Sequence, residues 1–512
     1  MSRQKTPIPM TPRPQRPLQR ALLLRALPLP LLLACGLVAA QAQTPHPMPP
    51  PPQATRPLNA GSLRSLPPEV RSALQRAQVP VTALGAVVID ATTGERVLDE
   101  QGAQPLNPAS LMKLLPTLAA LDRLGPAWTW RTPVWLDGRA RDGTLEGNLH
   151  IQGRGDPRLT QERLWLLLRR VQQLGVREIR GDIVVDQSAF DLPDGDPGAF
   201  DGEPLRPYNV KPAALMLNFR SVIYTFVPDV AAGVARVLVE PALAGLQADR
   251  SVPLASGPCN DWRGGLKASF EPLRTRFGGG YPAACGELNW PVADPEPASF
   301  DARLLLGMWQ EMGGGLTGRV RTGVAPSGTP PTFEHASGPL LDTVRDINKS
   351  SNNVMAQQLF LTLALQAQPG LSATAAAAQQ TLRDWLNLRL GDEALDVVVH
   401  NGSGLSRDNR IAARTLAHLL LQAWDSPVMS ELMSSLPISG IDGTLRRSRA
   451  TPGRAHLKTG TLRDVSGVAG YVLSNSGRRY VLVALVNHPQ APAARPALEA
   501  LVQWTLRDAP WR

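Results

Sequence analysis

Apolar and polar positions fall along this chain in blocks that mark its elements. Leu84-Gly85-Ala86-Val87-Val88-Ile89 is an unbroken apolar run closed by Asp90, the pattern of a buried strand. Ala91-Thr92-Thr93-Gly94 turns the chain, and Arg96-Val97-Leu98 brings it back. Leu111, Leu114, Leu115, Leu118, Leu121 and Leu124 then recur at helical spacing and give one apolar face. That helix is expected to start at Asn107, as N-cap, and Pro108, and to stop at Gly125-Pro126. Pro116 lies inside the pattern and predicts a kink. Near the other end, residues 457–460, 467–473 and 480–486 read as strands, the last two joined across Ser474-Asn475-Ser476-Gly477. A final helix is expected over about 493–506.

Strands from both ends can pair into one antiparallel sheet around a helical middle. This predicts a discontinuous domain made of residues 75–134 and 298–512. Residues 135–297 are rich in Gly, Pro and strand-forming side chains and read as one or more inserted β-rich domains, with a helix end and a strand over 171–185. Residues 43–74, including Pro49 to Pro52, read as an extended tether, with order beginning near Leu74.

Composition narrows the choices. A chain of 512 residues with 43% hydrophobic positions can bury a large core. The net charge of +10 is mostly a property of the first 42 residues, which carry six basic side chains and no acid; the rest is near +4. No basic run with interleaved aromatics follows, so nucleic-acid binding is excluded as a function class. The leader itself has a basic stretch to Arg25, an apolar run over 26–40 and Ala40-Gln41-Ala42 as a cleavage site. The run is about 15 residues, short of the roughly 20 that span a bilayer, so residues 1–42 read as a signal peptide and the mature chain as periplasmic with no stable membrane span. Leu32-Leu33-Ala34-Cys35 offers lipidation at Cys35 instead; the apolar run continuing past Cys35 favours cleavage after Ala42. Cys259 and Cys285 then remain, and two cysteines in an exported chain read as one disulfide. The seven histidines show no ligand spacing, so no metal and no cofactor are expected.

The candidate chemistry rests on three motifs in order: Ser110-Leu111-Met112-Lys113, Ser351-Asn352-Asn353 and Lys458-Thr459-Gly460. They form the Ser-x-x-Lys, Ser-x-Asn, Lys-Thr-Gly set of serine enzymes that open D-alanyl peptides or β-lactam rings. Lysine is scarce, six against 53 Lys+Arg, which sets the two motif lysines apart from surface filler. Ser110 needs a base, and Lys113 lies one helical turn away. A free lysine holds its proton to pH 10.4, but burial and a second cation, Lys458, can lower that. Ser351 is placed to relay the proton to the leaving amine, and Asn353 to hold Lys113 and the substrate amide. Gly460 would let the substrate backbone approach, and the amides of Ser110 and Thr461 would serve an oxyanion. By pattern alone, Ser350-Ser351-Asn352 fits the second motif equally well.

With their neighbours, these motifs resemble the low-molecular-mass class C penicillin-binding proteins over about residues 75–512. The gap of about 240 residues between the first two motifs is the most specific point, since class A β-lactamases have a much shorter one. Ile347-Asn348-Lys349-Ser350-Ser351-Asn352-Asn353 aligns with the family pattern and sets the register on Ser351 and Asn353; Asn352 stands where the family commonly has aspartate. Asn401-Gly402-Ser403-Gly404-Leu405-Ser406-Arg407, Ile441-Asp442-Gly443-Thr444-Leu445 and Gly155-Asp156-Pro157 also match. The resemblance implies an α/β penicillin-binding, serine β-lactamase-like sandwich with an antiparallel sheet, interrupted by insertion. It implies a D-alanyl-D-alanine carboxypeptidase and endopeptidase acting on peptidoglycan peptides, with β-lactams as inhibitors. It also implies that Thr459, Gly460 and Thr461 line the substrate, and that Arg407 and Asp156 contact the charged end of a diamino-acid side chain. A β-lactamase or esterase on the same scaffold, and a non-catalytic peptidoglycan-binding protein, are the competing readings.

Overall fold

The computed structural model describes residues 63–508. The expected signal peptide, Cys35 and most of the expected tether lie outside the described residues. A five-stranded antiparallel sheet organises one region, in the order Arg96–Glu100, Leu84–Asp90, Arg479–Asn487, Val465–Leu473, Ala455–Leu462. Chain ends do meet here, with Val87 opposite Val483. Leu84–Asp90 is buried at every position because the sheet is covered on both faces. Alternation divides its side chains: Val87 and Ile89 pack with Leu111, Leu115 and the central helices, and Leu84, Ala86 and Val88 pack with the helix Arg495–Arg507. The strand Ala455–Leu462 pairs along its length with Val465–Leu473, and its first half also bonds on the other side to the segment 437–439, through a bridge between Ile438 and His456.

Two expectations shift at the N-terminal side. Order begins before Leu74, because Arg64 bridges to Leu98 and Pro68–Arg76 is a helix. Pro68 suits the first helical turn, where its missing N–H leaves no bond unmade, and Val70, Ala73 and Leu74 are buried. The part of 43–74 from Arg64 onward is therefore not a tether. The second shift concerns Pro116. The α-helix runs only over Leu114–Arg123, which puts Pro116 in its first turn rather than mid-helix, so the proline meets no interior hydrogen bond and no break in the helix follows.

The inserted region is wider than 135–297. Its larger sheet begins with Arg131–Arg141, pairs this with Thr144–Gln152, and closes with Phe333–Ala336 against Arg131–Arg141. The helix Pro297–Glu311 buries Phe300, Leu304, Leu305, Met308 and Trp309 in the second core, not the first. Periodicity shows that a helix has an apolar face; it does not show which core takes that face. A second sheet packs an aromatic cluster of Tyr224, Phe226, Trp262, Phe277 and Tyr281. Cys259 and Cys285 are joined, their Cα atoms 4.9 Å apart. No helix among the described residues is long and apolar enough to cross a membrane, and no His, Cys, Asp or Glu cluster there is arranged to hold a metal ion.

Candidate active site

The turn that carries Ser110 is built differently from an ordinary helix start. Asn107 accepts the amide of Ala109 at 2.9 Å and donates through Nδ2 to the carbonyl of Ser406. Ala109 takes φ +47°, a left-handed conformation strained for a residue with a side chain. Ala109–Lys113 is then a 3₁₀ turn, and the α-helix starts only at Leu114. Three residues make one 3₁₀ turn, so Ser110 and Lys113 lie over one another. The Lys113 ammonium donates to Ser110 Oγ at 2.9 Å, to Asn353 Oδ1 at 2.7 Å and to the carbonyl of Ser403.

The second motif is held by a sharp joint between two helices. Leu340–Ser350 ends at Ser351, which has φ +56°, and Asn352 caps the next helix, Asn353–Ala367, by accepting the amide of Met355 at 3.0 Å. Aspartate and asparagine cap a helix in the same way, which is why Asn352 can stand there. Ser351 Oγ accepts from Lys458 Nζ at 2.9 Å, so the register falls on Ser351 and Asn353 rather than on Ser350. The same ammonium donates to the carbonyl of Thr459 at 2.8 Å.

Both lysines have 0% exposed surface, and neither has a carboxylate partner among the described residues. Burial drives Lys113 well below the usual lysine range, and the charge of Lys458 drives it further. Burial alone brings Lys458 down to about 7. Both influences on Lys113 favour the neutral amine over the ammonium.

Glycine at 460 is also required by a close approach within the chain itself. A Cβ there would stand 2.7 Å from the carbonyl of Pro108 and 3.3 Å from the amide of Leu111. The close neighbour is the chain's own Ser110 turn. Gly404, at φ +80°, is more restricted still: a Cβ would fall 1.9 Å from the carbonyl of Ala109.

The segment Asn401-Gly402-Ser403-Gly404 therefore packs against the Ser110 turn from behind. Asn401 Oδ1 accepts the amides of Ser403 and Gly404 at 3.1 and 3.0 Å, and this aims the Ser403 carbonyl at Lys113. Sequence reasoning matched this segment but gave it no part in holding Lys113. A carbonyl carries no residue-type signal, and the Gly-Ser-Gly spacing was the one available clue. The segment Ile441-Asp442-Gly443-Thr444 ties the second motif to the third. Asp442 pairs with Lys349 at 2.6 Å, and Thr444 Oγ1 meets Thr459 Oγ1 at 2.7 Å.

The inserted region reaches this cluster at one place. Asn353 Nδ2 donates to the carbonyl of Tyr208 at 3.3 Å, and the Phe200 ring lies 5.0 Å from the Arg407 guanidinium. Arg407 is half exposed and pairs with Asp464 at 2.8 Å, just beyond the third-motif strand. Thr461 is exposed on that strand. Asp156 does not join the cluster. It is 2% exposed, burial raises its carboxyl to about 6, and its Oδ1 accepts the amide of Arg158 at 2.8 Å. Asp156 is thus an enclosed turn aspartate with no hydrogen bond or ion pair to the Ser110 cluster.

Comparison with known proteins agrees with this picture. The family model of the D-Ala-D-Ala carboxypeptidase 3 (S13) family matches residues 66–507. The D-alanyl-D-alanine carboxypeptidase of Actinomadura sp. (strain R39) is 29% identical over 456 residues, covering 83% of this chain and 81% of that protein. Among solved structures, penicillin binding protein 4 (dacB) from Haemophilus influenzae superposes with a TM-score of 0.68 at 23% identity, over 85% of this chain and 99% of that one. The same protein complexed with a novel beta-lactam gives a TM-score of 0.63 at 22% identity, over 82% and 96%. The fold is thus that of a penicillin-binding protein with an inserted region.

Proposed function

Because the chain belongs to the D-Ala-D-Ala carboxypeptidase 3 (S13) family and is a serine-type D-Ala-D-Ala carboxypeptidase, we propose that Ser110 is its nucleophile, Lys113 the base that activates it, and the periplasm its place of work. The observation that carries this is the buried Lys113 amine, 2.9 Å from Ser110 Oγ and with no carboxylate beside it among the described residues. A lysine held neutral takes the Ser110 proton as Oγ attacks the D-alanyl carbonyl. The Ser110 ester bond forms and the C–N bond breaks. Ser351, bonded to Lys458, passes a proton to the departing nitrogen, and Asn353 fixes Lys113 and the substrate amide. The amides of Ser110 and Thr461 hold the oxyanion, each worth roughly 10²–10³ in rate. Water then opens the ester. When the leaving group is terminal D-alanine the reaction is carboxypeptidase action; when it is a second stem peptide it is endopeptidase action.

Thr459 and Thr461 line the substrate on the third-motif strand. Arg407 would meet a substrate carboxylate, because only one arm of its planar fork is taken by Asp464. β-Lactams would acylate Ser110 and clear slowly, as the complex of the Haemophilus influenzae protein with a beta-lactam encourages.

Intact-protein mass after brief exposure to penicillin tests the assignment. One added drug mass on the chain, and none on Ser110→Ala, is the expected result. An adduct that persists on Ser110→Ala would remove Ser110 from the role. No adduct with hydrolysed penicillin would indicate a β-lactamase, and no adduct with intact penicillin a non-catalytic binding protein.

A further inference from the structure

Beyond the third-motif strand lies a depression of about 620 Å³, inside the roughly 300–1,000 Å³ range of ligand sites. Arg446, Arg447, Arg449 and Arg495 line it, against one acid, Glu499. All four arginines are exposed, and none forms an ion pair with a described carboxylate. Arg495 also opens the helix Arg495–Arg507, whose N-cap, Ala494, supplies no side-chain acceptor, so the positive end of that helix adds to the field. Like charges crowded this way repel by a few tenths of a kcal/mol per pair even in water. Such a concentration suits an anionic ligand.

A chain of contacts connects the depression to the leaving-group side of the reaction. Ser351 bonds Lys458 at 2.9 Å, Thr459 follows on the same strand, and its hydroxyl meets Thr444, which lines the depression, at 2.7 Å. We propose that this arginine-lined depression receives the free carboxylates of the leaving half of a cross-linked peptide substrate, and so favours endopeptidase action. The inference rests on the proposed roles of Ser110 and Ser351. A single departing D-alanine has one carboxylate and little reach; a departing stem peptide has several carboxylates and the length to enter the depression.

The test compares initial rates on two substrates for the full chain and for the triple variant Arg446→Ala, Arg447→Ala, Arg449→Ala. One substrate is a cross-linked peptide dimer with free carboxylates in its leaving half; the other is a monomer ending in D-Ala-D-Ala. The expected loss in kcat/KM on the dimer is about tenfold, the worth of one charge-assisted contact. Monomer cleavage and penicillin acylation stay within about twofold of the parent. Amidating the leaving-half carboxylates removes the difference between parent and variant, and the corresponding triple lysine variant keeps most of the dimer rate. Equal loss on dimer and monomer, undiminished dimer cleavage, or the same loss on the amidated dimer would each overturn the proposal. A failure of the Ser110 assignment shows separately, as a missing penicillin adduct in the parent.

Discussion

Lys113 and Lys458 in the catalytic region and Asp301 and Asp294 in the inserted region are all buried charges, handled in opposite ways. Each aspartate is held by an arginine: Asp301 by Arg220 at 2.6 Å, and Asp294 by Arg303 at 2.6 Å. Backbone amides complete their bonding, Leu217 to Asp301 at 3.1 Å and Glu296 to Asp294 at 2.8 Å. The two lysines are buried more completely and meet hydroxyls, an amide oxygen and backbone carbonyls, but no carboxylate among the described residues. Burial raises both carboxyls above the usual aspartate range, and the arginine beside each opposes that rise and favours the charged form. A cation denied a counter-ion is driven toward its neutral form, and a neutral amine can act as a base.

The largest effect expected from breaking this contrast is at Lys113. Lys113→Met replaces a buried ionisable amine with an apolar side chain of similar length. Acylation by penicillin should slow by about 10²–10⁴-fold, the worth of general-base help. Thermal stability should hold or rise, since the cost of burying the charge disappears. Stopped-flow acylation and a melting curve on the same preparation check both halves; a variant that melts lower while acylating normally would reverse the reading. Asp301→Ala is the counterpart in the inserted region. It leaves Arg220 buried without its partner and should remove about 3–5 kcal/mol of stability in a denaturant titration. Molecules that remain folded should still take up penicillin at Ser110.

The sheet was legible because its strands are continuous apolar runs bounded by turns. Residues 84–90 are as read, and 480–486 extends by one residue at each end to Arg479–Asn487. That the motif side chains would meet was legible because their residue types and order are restrictive. What stayed hidden were features carried by backbone or by distance. No side chain announces that Ala109 will take φ +47° or that the carbonyl of Ser403 will face Lys113. The Gly460 requirement was visible but its cause was not, since Pro108 comes near only in the folded chain. Asp156 illustrates the converse: a matched motif identified the turn, while the burial of its side chain is a property of the whole fold.

The smallest expected effect sharpens the same contrast through pH. Lys458 has a folded pKa of about 7, against roughly 10.4 for a free lysine. Between these values the unfolded chain binds a proton at Lys458 that the folded chain has released. Stability therefore rises with pH across this window, by at most about 1.4 kcal/mol per pH unit for each such lysine. Below pH 7 both states hold the proton and the folded state bears the whole cost of a buried cation. Lys458→Met removes that dependence. Denaturant titrations between pH 7 and 9 should show a shallower rise for Lys458→Met than for the parent, whereas Asp301→Ala should lower stability without removing the lysine slope. Parallel pH profiles for the parent and Lys458→Met would mean that Lys458 stays charged in the fold. The buried cations would then be held as firmly as the paired aspartates, and the distinction between the two regions would fail.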